Sequence, residues 1–215
     1  MSEPHPSVAH QFDDTEQQYE ASSLGMWTFL ITEIMFFGGL FALFAVYVSA
    51  YAEAFAEGSR HLDLVLGATN TVVLLGSSLT MAMAVRSAQT GRRNGQVVYL
   101  LLTLALGLVF LGIKAVEYGH KFEQHLVPGP NFSFPSPLAQ NVQLFFSFYF
   151  AMTGMHALHM VVGVGLLSVL LFQAWRGRYT AEYFTPVEVS GLYWHFVDIV
   201  WIFLFPFLYL VARHA

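Results

Sequence analysis

Residues 24–51 read LGMWTFLITEIMFFGGLFALFAVYVSAY, twenty-eight positions with a single charged group, Glu33. About 20 helical residues at 1.5 Å each cross a hydrocarbon core, so this run is long enough to span a bilayer. It does not alternate apolar and polar residues over about ten positions, as a barrel strand would. A helix also satisfies its own backbone polar groups, which lipid cannot do. Four further apolar runs, at 64–88, 96–118, 142–175 and 189–211, meet the same criterion. The reading is therefore all-α: an integral membrane bundle of five transmembrane helices over 24–213, preceded by a polar N-terminal tail over 1–23.

Composition agrees with that solvent. Of 215 residues, 56% are hydrophobic and 11% charged, against roughly 45–50% and 25% in average soluble domains. Nine basic and 14 acidic residues give no basic surface for nucleic acid, so none is expected as a partner. The absence of cysteine excludes disulfides, thiolate nucleophiles and cysteine-held metals or clusters. The acidic start lacks the basic n-region of a signal peptide and reads as an extension that stays attached. Gly91-Arg92-Arg93-Asn94-Gly95 and Pro128-Gly129-Pro130 punctuate the loops. No period of 20–50 residues recurs, and no matching pair of broken helices suggests a transporter's repeated halves.

Basic residues set an expected orientation. Arg86, Arg92, Arg93, Arg176 and Arg178 fall on the N-terminal side of the membrane, and Arg60, Lys121 and Arg213 on the other, with Lys114 more embedded. The bias places the N-terminus in the cytoplasm and the C-terminus outside.

Ionisable groups within spans cost several kcal/mol on common insertion scales, so each needs a partner or a purpose. Glu33 sits about nine residues into the first span, with Phe29, Leu30, Phe36 and Phe37 on its face. Apolar surroundings disfavour a charged carboxylate. Such a group could relay protons or serve as hydrogen-bonding glue to a neighbouring helix, and both readings stand. His156 and His159 are three apart and close to one face of the fourth span. With no Glu-x-x-His pattern there, hydrogen bonding across the bundle is preferred to metal or haem ligation.

In the fifth span His195 and Asp198 are three apart, so acid and imidazole can satisfy one another. Asp198 should lie at a depth similar to Glu33. Asn70, His156, His159, His195 and Asp198 are accordingly expected to form a buried polar layer, with Asn70 reaching a charged partner. Lys114 and Glu117 allow an i,i+3 ion pair at the outer end of the third span. Small and polar residues of the second span, among them Gly67, Thr71, Ser77, Ser78 and Thr80, suit close helix approach. Tyr47, Tyr51, Tyr99, Tyr118, Trp175 and Tyr209 fall near span ends, where lipid headgroup contact accounts for them. Pro206 should kink the last span or end its regular bonding.

Several of these strings resemble subunit III of the haem-copper respiratory oxidases. They are Trp27-Thr28-Phe29-Leu30 with Thr32-Glu33-Ile34-Met35-Phe36-Phe37, then Asn70-Thr71, Glu117-Tyr118, Gly154-Met155-His156-Ala157-Leu158-His159, and Tyr193-Trp194-His195-Phe196-Val197-Asp198-Ile199-Val200-Trp201. The last two are the most specific. The resemblance implies a non-catalytic subunit of a bacterial cytochrome c oxidase in aerobic respiration, stabilising the catalytic subunit and supporting proton uptake. It implies no redox metal in this chain, haem and copper in catalytic subunit I, other oxidase subunits and membrane lipids as partners, and phospholipid as a ligand. Glu33 matches the family's buried, carbodiimide-reactive carboxylate. Many members have seven helices, the first two set apart by a lipid-filled cleft; this chain begins at the third, which favours a bacterial plasma membrane. The readings kept beside it are subunit III of a quinol oxidase, an accessory subunit of a nitric oxide reductase, and a proton-coupled transporter.

Overall fold

The structure, a computed structural model, describes residues 11–211. Residues 1–10 of the expected tail, and Arg213 of the orientation argument, lie outside the described residues. Six helices follow in order: α1 Thr15–Ala50, α2 Ala52–Arg60, α3 Leu64–Gln89, α4 Arg93–Glu123, α5 Ala139–Trp175 and α6 Thr185–Tyr209. Five of them, all but the nine-residue α2, are long and apolar enough to cross a membrane. Among the described residues there is no strand, only an isolated bridge between Thr180 and Tyr183.

Helix starts follow their caps. Asp14 accepts from the amide of Gln17 at 2.8 Å, so α1 begins at Thr15 and makes helical the polar stretch 15–23 that composition assigns to the tail. Asp63 likewise accepts from Val65 and Leu66 to open α3. The turn into α4 passes through Gly91 at φ 66°, a left-handed conformation that glycine adopts without penalty. Pro206 neither ends nor interrupts the assigned helix: α6 runs to Tyr209, and the Pro206 carbonyl accepts from Leu210 at 3.2 Å. Having no amide hydrogen, it gives the Ile202 carbonyl no bond, and the helix continues only three residues beyond it.

The chain crosses five times, so one end of the bundle carries the start of α1 with the α3–α4 and α5–α6 turns. This is called the proximal end. The distal end carries α2, the α4–α5 loop and the end of α6. Helix α2 folds beneath that end, where Phe55 is fully buried against Phe44, Phe145 and Phe148.

Helix α6 forms the centre, packing on α1, α2, α3 and α5. Its Trp194 and Trp201 are 1% and 0% exposed. Trp194 fits because Gly107 of α4 and Gly163 of α5 face it; a Cβ at either position would come within 2.7 or 2.9 Å of its ring. Helix α1 is peripheral, its backbone approaching α2, α5 and α6 but not α3 or α4. Its Ile31, Ile34, Met35, Leu43 and Val46 remain exposed, as a lipid- or partner-facing helix requires.

Candidate functional site

Three groups of polar side chains occupy the interior, each joining different helices. The first joins α1 to α5. Glu33 Oε2 lies 3.2 Å from His159 Nε2, the side chains being 19% and 15% exposed. Met155 carbonyl accepts from His159 Nδ1 at 2.9 Å, and Tyr193 donates its hydroxyl to the His159 carbonyl at 2.9 Å. The ring packs edge-on against Phe37, itself 2% exposed. Since Nδ1 gives its proton to the backbone, a hydrogen bond between Nε2 and Oε2 needs one further proton. That proton sits on the ring as imidazolium facing carboxylate, or on the carboxyl facing neutral imidazole. That proton can therefore stand on either partner while the hydrogen bond between them is kept.

The second group lies toward the distal end and is sealed. Lys114 and Glu117 of α4 are 3% and 1% exposed. Lys114 Nζ donates to Glu117 Oε2 at 2.9 Å, to Tyr149 of α5 at 3.1 Å and to Tyr209 of α6 at 3.2 Å, which uses all three of its protons. Tyr209 donates its hydroxyl hydrogen bond to Glu117 Oε1 at 2.6 Å. The ammonium also lies 4.9 Å from the centre of the Tyr149 ring, 5.1 Å from that of Tyr118 and 5.2 Å from that of Trp201, within the range of cation–π attraction.

A third group is the seam between α3 and α6. Trp194 donates to Ser77 at 2.7 Å and Trp201 to Thr71 at 3.1 Å, while Ser78 is bonded to His195 Nδ1 at 2.7 Å. Thr80 continues the set to Thr103 of α4 at 2.8 Å. Antiparallel packing explains the order, since residues ascending α3 meet residues descending α6.

The residues expected to make one polar layer are thus distributed. His159 is with Glu33, and His195 with Ser78 rather than Asp198. His156, 1% exposed, lies between Phe110 and Trp201, and neither of its nitrogens has a hydrogen-bond partner among the described residues. Asn70 and Asp198 are buried, and their side-chain polar atoms also make no bond there, so Asn70 reaches no charged partner. Spacing puts His156 and His159 near one face, but they serve different neighbours. Among the described residues no group of three or more His, Cys, Asp or Glu side chains could hold a metal ion.

Sequence reasoning missed Tyr149, and it assigned Tyr209 and Tyr118 to the headgroup level. Tyr209 is 4% exposed and bonded to Glu117, and Tyr118 shares a hydrogen bond with Thr153 at 2.6 Å. The available signal was a phenol hydroxyl within an apolar run, which needs a partner wherever it is buried. Tyr51 and Trp175 do remain exposed, at 40% and 63%.

Comparison with known proteins places this architecture. The family described as cytochrome c oxidase subunit III matches residues 9–213. Subunit 3 of the cytochrome bo(3) ubiquinol oxidase of Pseudomonas aeruginosa is 32% identical over 205 residues, covering 95% of this chain and 92% of that one. Cytochrome c oxidase subunit 3 of Thermostichus vulcanus is 32% identical over 202 residues, covering 94% and 92%. That of Neotragus moschatus is 32% identical over 193 aligned positions, the match covering 86% of this chain and 67% of the longer relative. With its five apolar crossings and a family match over nearly its whole length, this chain belongs to the cytochrome c oxidase subunit III family.

Proposed function

We propose that the protein is the non-catalytic subunit III of a bacterial haem-copper oxidase, seated in the plasma membrane with its N-terminus cytoplasmic and its C-terminus external. Catalytic subunit I would hold the haems and copper, and this chain would brace it and assist proton uptake. The observation that carries the proton assignment is the Glu33–His159 contact at 3.2 Å, an acid and a base with one proton to place between them. Its partial exposure leaves it open to exchange, as a relay requires. The larger number of arginines at the proximal end supports the orientation.

Cytochrome c is the proposed electron donor to the complex, on the strings at 27–37 and 193–201. The equal 32% identity to a ubiquinol oxidase subunit supports quinol as the second reading. Purifying the native complex tests both levels at once. Haem and copper should copurify with this chain and be absent from the chain alone, and reduced cytochrome c should be oxidised faster than quinol. Haem retained by the isolated chain defeats the accessory role; preferential quinol oxidation changes the donor only.

A further inference from the structure

The α3–α4 turn at the proximal end borders an open cavity of about 630 Å³. Arg86, from the last turn of α3, and Arg92 and Arg93, from the start of α4, line it together with Asn94, and no acidic residue is among its lining. Arg93 is held in place by donation to the Trp175 carbonyl, its guanidinium lying against Gly177. Guanidinium groups present planar forks that match the oxygens of a phosphate, and are less strongly hydrated than ammonium, so they suit a site at the membrane boundary. Ser87, Thr90 and Gly95 also line it, and Met83 and Tyr99 supply its apolar wall.

That wall leads along the bundle's outer surface. Leu79, one turn deeper on α3, is 65% exposed, and Leu102, three residues on from Tyr99, is 44% exposed. A phosphate held at the arginines would leave acyl chains lying on Met83, Leu79 and Leu102. A soluble anion has no use for such a track. We propose that this cavity binds the phosphate head group of an anionic phospholipid, with the three arginines as its ligands. No residue of α1 is among its lining, so the site is separate from that helix. It does not depend on which donor feeds the complex.

The test uses the intact complex, stripped of lipid in detergent and titrated with dioctanoyl phosphatidylglycerol, with amide exchange over 83–99 as the readout. Anionic lipid should protect this segment, and dioctanoyl phosphatidylcholine should not. Each arginine near an anionic surface strengthens binding by roughly fivefold, so Arg86→Gln/Arg92→Gln should require about 25-fold more lipid for the same protection. Both side chains are exposed, so the variant retains its packing. Arg176→Gln, at the same end but stacked on Phe172 outside the cavity, should titrate as the parent does. Equal protection by phosphatidylcholine, or an unchanged double variant, overturns the proposal. Protection by inorganic phosphate alone reassigns the cavity to a soluble anion and overturns it as well.

Discussion

Lys114 and Glu117, 3% and 1% exposed, have their donors and acceptors engaged by each other and by Tyr149 and Tyr209. Glu33 and His159 belong to the same bundle, yet their contact is a single one at 3.2 Å with side chains 19% and 15% exposed. Charges removed from both water and lipid persist only when their hydrogen-bonding capacity is filled, and a filled site has no vacant position for a transient proton. The Glu33–His159 pair is less enclosed and is held by one contact instead of several. The difference separates a group that holds helices together from one suited to exchange with its surroundings.

That contrast can be broken by mutation. The largest effect is expected from Glu117→Gln, which leaves the Lys114 ammonium buried without its anion and should cost about 3–5 kcal/mol. It would be read as loss of assembled complex and a lower thermal unfolding midpoint. Replacing both partners by methionine should recover most of the loss, since no orphaned charge remains; if the double variant is as unstable as the single, the cluster has another role.

Tyr209→Phe is next, at about 1–3 kcal/mol, because it removes a donor from Glu117 Oε1 and an acceptor from Lys114. Ser78→Ala follows at about 1 kcal/mol, the net value of one hydrogen bond to His195. Glu33→Gln should have the smallest effect on stability, under about 1 kcal/mol, because the isostere keeps a hydrogen-bonding group facing His159. Its effect belongs in turnover, as slower proton uptake or faster loss of activity during catalysis. Destabilisation matching that of Glu117→Gln would make the two pairs alike and remove the basis for the contrast.

Span number was legible because bilayer thickness fixes length, and each run carries enough apolar residues to declare itself. Helix ends were less so: α1 starts at its Asp14 cap, nine residues before the apolar run, and α4 continues to Glu123 beyond the expected 118. Helix α2 was invisible as a separate element because nine residues of mixed polarity resemble a loop. The Lys114–Glu117 pairing followed from helical spacing, since both partners share α4. The Glu33–His159, Ser78–His195 and Tyr209–Glu117 contacts join residues 126, 117 and 92 positions apart, so only the packing of separate helices brings them together. Local spacing therefore proposed His195 with Asp198, whereas tertiary packing gave His195 to α3.

The peripheral position of α1 bears on biosynthesis. This helix leaves the ribosome before the others described, but its most extensive contact is with α6, whose first residue is made roughly 135 positions after α1 ends. At 5–20 residues per second the wait is on the order of ten seconds. During it Glu33 resides in the bilayer before His159 has been translated. The nascent protein thus carries an unaccompanied acid until its fourth crossing is inserted, an interval in which a membrane insertase or an early-arriving subunit could shelter it.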